Sequence, residues 1–421
     1  MTLLLTACLI LVAFSGAPLF LVISAAALLC LHSLGVDLSA VIIEMYRLAA
    51  SPILIALLLF AFAGYVLGES QASRRLVRVS AALMGRAPGG LAIVSLITCS
   101  FFTALTGASG VTIVALGGLL LPALVADKYP EKFSLGLLTT CGSLGLLFPP
   151  SLPLIIYAMV ADINTADLFL AGVVPGMLML VLLSLYSMVQ GIRCGTTRSH
   201  ALFSFREILG ALREALWEVL LPVVVLGGIF SGYLALSEAA AITALYVLLV
   251  EMAIHREVKI KDLPSTIMKT VMMVGAIVVI LGASLAFNSF LIDQQVPNKI
   301  LNFMRTHVES KYAFLFILNV FLLGVGCVLN IFSALVIVVP LIVPIAKSYG
   351  VDLLHLGIIF LTNLQIGYSL PPIGMDLLIA SLRFEKSVIY LYYASLPFIA
   401  ILLLTLAIIT FFPPLSLLLV K

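Results

Sequence analysis

One 54-residue pattern occurs twice in this chain, 222 positions apart and without a gap. Pro122, Thr140, Gly145, Pro149, Pro150, Ala158 and Pro175 return as Pro344, Thr362, Gly367, Pro371, Pro372, Ala380 and Pro397. Proline removes a backbone donor, clashes with the preceding turn and drives the residue before it out of α geometry. A diproline kept in register in both copies therefore requires the chain to unwind at two equivalent places. The freed carbonyls need partners there: a cation, water, or neighbouring Ser/Thr hydroxyls.

The solvent around those breaks follows from composition. Of 421 residues, 63% are hydrophobic and 10% charged, with a mean hydropathy of +1.27. No water-soluble core hides that much apolar surface, so the solvent is a bilayer. A net charge of +3 gives no sign of a nucleic-acid partner. Basic residues gather in three short segments: Arg74, Arg75, Arg78 and Arg86; Arg193, Arg198, Arg206 and Arg213; and Arg256, Lys259, Lys261 and Lys269. The positive-inside rule places all three in the cytoplasm. The cysteines (8, 30, 99, 141, 194 and 327) have no CxxC spacing and read as small buried residues.

Spanning segments are expected at about 3–31, 48–68, 133–161, 165–192, 216–236, 238–254, 270–292, 354–382 and 387–412. The first is broken at Gly16-Ala17-Pro18, and residues 70–87 read as an amphipathic helix at the cytoplasmic interface. Two uncharged stretches do not fit a simple count. Gly89–Ala126 is interrupted around Thr103–Gly110, and Tyr312–Ala346 around Gly324–Ser333. Each is too long for one span and too short for two. A re-entrant helical hairpin with its turn near mid-membrane resolves the arithmetic, provided the turn is buried in protein. The expected fold is an all-α polytopic membrane protein, an inverted repeat with two re-entrant hairpins and two broken helices. Its parts are 1–88, scaffold and interfacial helix; 89–161, first hairpin and broken helix; 162–311, connecting helices; 312–382, second hairpin and broken helix; and 383–421, a C-terminal helix. The run Lys299, Arg305, Lys311 runs against the inverted orientation, and Asp293 and Glu309 dilute its charge. Repeated, interrupted hydrophobic segments point to a secondary transporter's binding site.

No enzyme constellation emerges, and no phosphate-binding loop with Lys-Ser/Thr is present. The first tip offers hydroxyls at Thr103, Thr106, Ser109 and Thr112, with Gly107 and Gly110 permitting close backbone approach. These suit a hard cation, while the helix N-terminus of a hairpin turn suits an anion. Small-residue helix packing is the alternative. The second tip offers Asn330 and Ser333, and the following helix Thr362, Asn363 and Gln365, where the first copy has Thr140, Cys141 and Ser143. Gly145, Pro149 and Pro150, with Gly367, Pro371 and Pro372, shape the breaks. Asp376 is an intramembrane carboxylate, a functional candidate by default, with pairing to Arg383 as the structural alternative. Glu238 reads as a first-turn residue behind a Ser237 N-cap, and Tyr390, Tyr392 and Tyr393 as an interfacial belt.

With those motifs in hand, the chain resembles the large membrane subunit of a TRAP (tripartite ATP-independent periplasmic) transporter over nearly its whole length. The matching stretches are Thr106-GASG…Leu121-Pro, Gly142-SLGLLFPPSLPL, Ser237-EAAAITALY and Pro340-LIVPIAKSYGVDLLHLGII…Gly367-YSLPPIGMDL. The resemblance implies an elevator-type, sodium-coupled importer of organic acids in the bacterial inner membrane. Its implied partners are a small four-helix membrane subunit, a periplasmic substrate-binding protein, a small organic anion and the surrounding lipid. It implies no cofactor beyond Na⁺ as coupling ion, with Thr106, Ser109, Ser143, Asn330 and Asn363 as cation ligands. Two positions depart from the family pattern: Asn330 stands where an aspartate is common, and Asp376 where an asparagine is common. A stand-alone sodium- or proton-coupled symporter and a non-transporting scaffold remain as other readings.

Overall fold

The computed structural model describes residues 51–84, 89–195, 205–308 and 310–420, with a few helical residues between 21 and 46. The expected break at Gly16-Ala17-Pro18 lies outside the described residues, as do Arg86 and Arg198. Among the described residues every regular element is a helix and none is a strand. Eight helices are long and apolar enough to cross a membrane, or nine if one bent pair is a single span.

The chain runs through α1 (Pro52–Glu69) and α2 (Ala72–Met84) into a first hairpin, α3 (Gly90–Thr106) and α4 (Ser109–Ala126). A broken helix follows, made of α5 (Glu131–Cys141), a single 3₁₀ turn (Leu144–Leu147) and α6 (Leu152–Ala161). After α7 (Thr165–Cys194) come the connecting helices: α8 (Phe205–Glu214), α9 (Leu216–Phe230), α10 (Leu236–Leu249, ending in a π turn) and α11 (Leu263–Asp293). The second half holds α12 (Val296–His307), the hairpin α13 (Lys311–Val328) and α14 (Ile331–Ser348), and the broken helix α15 (Leu353–Gly367) and α16 (Met375–Phe384). α17 (Val388–Phe411) and α18 (Pro414–Leu417) complete it.

The offset of 222 extends well beyond the 54 residues in which it is legible. It carries 90–106 onto 312–328, 109–126 onto 331–348, and 72–84 onto 294–306, each within two residues of an observed helix. Residues 296–307, expected only as a charged connection, are thus the mate of the interfacial helix. With the hairpin counted as re-entrant, four crossings (the broken helix, α7, α9 and α10) lie between α1 and its mate α11, and an even number inverts the second half relative to the first.

Both hairpins exist, but their arms of 17 and 18 residues are longer than half a bilayer. At 1.5 Å per residue an arm of this kind is about 26 Å long, against roughly 30 Å of hydrocarbon. Contacts set the depth of the tip. Gly107 abuts Leu152 at the break of the first broken helix, midway along its length. An arm that ends at mid-depth must run obliquely or begin outside the hydrocarbon layer.

α2 confirms the amphipathic helix and corrects its basic face. Its apolar side packs Val79 onto Ala211 and Ala215 beside α8. Arg75 turns inward, only 10% exposed, bonding Glu218 (2.6 Å), Glu257 (2.5 Å) and Glu251 (3.0 Å). Burial works against its charge, yet Glu218, Glu251 and Glu257 hold its pKa above the ordinary arginine value. Arg78 pairs with Glu214, and Lys269 with Glu69. The described residues Arg74, Arg75, Arg78, Arg213 and the segment 255–269 therefore share one face of the molecule, in line with the charge rule. Glu238 does cap its helix, but by accepting the N–H of Ala235 (2.9 Å); Ala235, not Ser237, is the N-cap.

Candidate functional site

Glycine brings each broken helix onto its hairpin. A Cβ on Gly145 would lie 2.2 Å from the Ser100 carbonyl oxygen and 2.6 Å from the Ala104 nitrogen. One on Gly367 would lie 2.6 Å from the backbone of Gly326. Ala104 and Gly326 are themselves repeat mates, so the same backbone-on-backbone seam is made twice. Both diprolines, Pro149-Pro150 and Pro371-Pro372, carry cis peptide bonds. The first break is sealed inside the protein, whereas Pro371, Pro372 and Ile373 are exposed in the chain taken alone.

The halves interlock beyond each break. α16 packs on α4 of the first hairpin, and its mate α6 packs on α14 of the second. Each tip therefore meets its own half's break and the other half's exit helix. Around the first tip stand Ser109, Ser143 and, from the other half, Asp376. At the equivalent positions around the second stand Ile331, Gln365 and Leu154.

Not all candidate residues are left with free groups. The Thr103 hydroxyl donates to the Gly142 carbonyl (2.7 Å) and accepts from Thr112 (2.6 Å), tying both hairpin arms to the break. The Asn363 amide donates to Asn319 Oδ1 (2.6 Å) and to the Ile359 carbonyl (2.8 Å). Asn330 is exposed and caps α14, accepting the Phe332 N–H at 2.8 Å. Gly110 lies against Ile379, and Ser333 is buried in α14. Gly107 adopts φ +67° to end α3, a left-handed conformation that favours glycine. Asp376 does not pair with Arg383, which is exposed and lies against Gly118.

What remains is a set of buried side-chain atoms with no hydrogen-bond partner among the described residues. In the two broken helices and the hairpin tips these are Thr106 Oγ1, Ser151 Oγ, Thr362 Oγ1, Asn363 Oδ1, Gln365 Oε1, Ser369 Oγ and both carboxylate oxygens of Asp376. All of them are oxygens. Buried polar groups are normally satisfied, and such exceptions call for an explanation. An oxygen-only donor set suits a hard cation; no cluster of three His, Cys, Asp or Glu side chains suited to a metal ion occurs among the described residues. Ser151, Ser369, Asn319 and Tyr368, whose hydroxyl accepts the Ile331 N–H at the second tip, were missed by sequence reasoning. The only available signal was a polar residue inside an uncharged stretch.

Two interlocked halves, each with a hairpin and a broken helix, enclosing unpartnered oxygens within a bundle of apolar spans, define a membrane carrier core. The chain belongs to the family described as the tripartite ATP-independent periplasmic transporter, DctM component, whose model matches residues 3–415. Its role is transport rather than catalysis. It is 32% identical over 376 residues to the C4-dicarboxylate TRAP transporter large permease DctM of Pseudomonas aeruginosa, covering 89% of this chain and 88% of that one. The ectoine/5-hydroxyectoine large permease UehC of Ruegeria pomeroyi is 32% identical over 365 residues, covering 86% and 85%. The isethionate permease DctMQ of Oleidesulfovibrio alaskensis is 32% identical over 405 residues, 94% of this chain and 63% of that protein. The solved structure of the Alcanivorax borkumensis YdaH transporter shares the fold, with a TM-score of 0.62 over 88% of this chain and 86% of that one at 14% identity.

Proposed function

We propose that the chain is the large membrane subunit of a sodium-coupled, binding-protein-dependent importer of small organic acids in a bacterial inner membrane. The observation that carries the reading is the all-oxygen set of orphaned groups in the hairpin tips and the two broken helices. Sodium prefers such ligands. The first tip adds a helix N-terminus that no side chain caps, since Ala108 stands at the N-cap of α4. Its free N–H groups and positive dipole end suit a carboxylate or sulfonate. The relatives' named substrates, C4-dicarboxylates, isethionate and ectoine, all carry an acidic group. The partners in this reading are a small four-helix membrane subunit and a soluble periplasmic binding protein. In an elevator motion the interlocked core, 89–161 with 312–382, would slide as one body against the remaining spans.

The test is uptake into proteoliposomes under an inward sodium gradient. Accumulation is expected only when the small subunit and the loaded binding protein are both supplied, and it should vanish when potassium replaces sodium. Full uptake by this chain alone would overturn the three-part reading in favour of a stand-alone symporter.

A further inference from the structure

We infer that His255, Arg75, Glu218, Glu251 and Glu257 form a proton-sensitive clamp that fastens the interfacial helix α2 to the outer spans as the cytoplasm acidifies. The local backbone brings these groups together. α10 ends in a π turn, a form frequent at functional sites, in which the His255 N–H donates to the Val250 carbonyl (2.8 Å). Arg256 then takes φ +57°, a conformation that side chains rarely adopt and that clusters at switch regions. The chain doubles back there until the Glu257 N–H reaches the Glu251 carbonyl (2.9 Å). Glu251, His255 and Glu257 thereby meet Glu218 in the first turn of α9. Arg75 enters from α2, and Glu257 also accepts the Gln71 N–H (2.8 Å) just ahead of that helix.

The charges in this cluster do not balance. One guanidinium serves three carboxylates, and the side chains of Glu218 and Glu251 are no more than 1% exposed. Carboxylates held out of water without full neutralisation are costly. Two atoms show where the missing charge belongs. Glu218 Oε2 and His255 Nε2 are both buried without a hydrogen-bond partner among the described residues. His255 Nε2 lies 3.7 Å from the other oxygen of Glu218. A closure of about 1 Å would bring that pair to hydrogen-bond length. A protonated imidazole then supplies both the donor and the charge, and the resulting bond is of the strong, charge-assisted kind.

The other charged and titratable groups nearby do not fill that place. Arg78 is spent on Glu214, and the Tyr246 hydroxyl donates to the Trp217 carbonyl (2.9 Å). Arg74 and Arg213 line the same cavity but are exposed, where water and salt screen them. That cavity, of about 410 Å³, opens beside α2 and α8 and is walled by His255 and Glu257. Protons from the cytoplasm therefore reach the imidazole, while Glu218 and Glu251 stay sealed behind it. α2 is the strap that leads from α1 into the first hairpin, so the state of the clamp sets how firmly that strap is held. An imidazolium gained at low pH tightens it, and its loss as pH rises through the imidazole range loosens it. The mate helix α12, on the opposite face, has Pro297 in the place of Arg75, so the response is confined to one side of the membrane.

The experiment is amide hydrogen exchange on the full-length protein in detergent, with rates corrected for the intrinsic effect of pH. Between about pH 8 and about pH 6, protection of 72–84 is expected to rise several-fold while that of 296–307 stays level. The melting temperature should rise by about 2–4 °C over the same interval. His255→Gln and Glu218→Gln should each abolish both responses. An undiminished response in folded His255→Gln would put the proton on a carboxylate and overturn the clamp. If neither variant folds, the wild type still decides. Protection of 72–84 that ignores pH, or that changes in parallel with 296–307, overturns the inference. Neither sodium nor substrate is needed for this readout, so its failure leaves the transport reading standing.

Discussion

The two halves of the molecule share a backbone frame but not the side-chain hydrogen-bond networks built on it. In the first half the polar network sits at the tip, where Thr103 ties Thr112 to the Gly142 carbonyl. Its base is aromatic: Phe133 stacks on Tyr129 and meets Phe398, which packs edge-on against Tyr186. In the second half the mates of Thr103, Thr112 and Gly142 are Val325, Ala334 and Leu364, and the hydroxyl bridge is gone. The base is polar instead. Asn363 donates to Asn319, Asn319 donates to Thr410 (3.1 Å), and His355, the mate of Phe133, bonds the Thr410 carbonyl and Ser416. Frame and bonding are thus separable. Glycine seams and prolines, which act on the backbone, are common to both halves, while side-chain networks were free to move from tip to base.

The largest effect is expected where the halves differ most, at their interfacial helices. Arg75 in α2 neutralises Glu218, Glu251 and Glu257, whereas its mate in α12 is Pro297. Arg75→Met strands buried carboxylates and should cost about 3–5 kcal/mol. Thermal unfolding in detergent should show this, and adding Glu218→Gln and Glu251→Gln should recover most of it. Undiminished stability in the single variant would mean that the cluster does not hold the connecting helices together.

Next come the seams themselves. Gly145→Ala and Gly367→Ala each force a Cβ into backbone and should cost about 1–3 kcal/mol or more, by similar amounts in the two halves. A melt in which one variant is tolerated and the other is not would break the equivalence of the two frames. The smallest effects belong to the networks. Asn319→Leu leaves Thr410 and one Asn363 N–H without their partner, and Thr103→Val strands Thr112 and the Gly142 carbonyl, each at about 1–3 kcal/mol. Hydrogen exchange should rise around 355–363 and 410 for the first and around 103–112 for the second. Exchange rising at both places in either variant would show that the networks are coupled after all.

What was legible in the sequence was the part written in backbone chemistry. Prolines and glycines at a fixed offset constrain φ, donors and clearance locally, so the breaks and hairpins followed from Pro149, Pro371, Gly107 and their neighbours. α12 escaped because its repeat carries no diproline, only an amphipathic face, and its charges obscured it. Arg75 was legible only as one of a cytoplasmic group of basic residues, because Glu218, Glu251 and Glu257 lie 143 or more positions away. Asn319 was overlooked for the same reason, since its partners come from α15 and α17. Asp376 was recognisable as a buried charge, but its neighbours in the other half were not, because the crossing of exit helices is a property of topology rather than of any local stretch.

The seams at Gly145 and Gly367 have a mechanical consequence. Where main chain rests on main chain there is no rotamer to change, so the joint has nothing with which to yield. Shear between hairpin and broken helix is therefore locked, and any travel of the core must be taken up at its outer contacts, where side chains can slide and repack. The binding geometry is then set by parts that mutation rarely alters gradually. Side chains around it can be exchanged to admit a new cargo without recalibrating the machine that carries it.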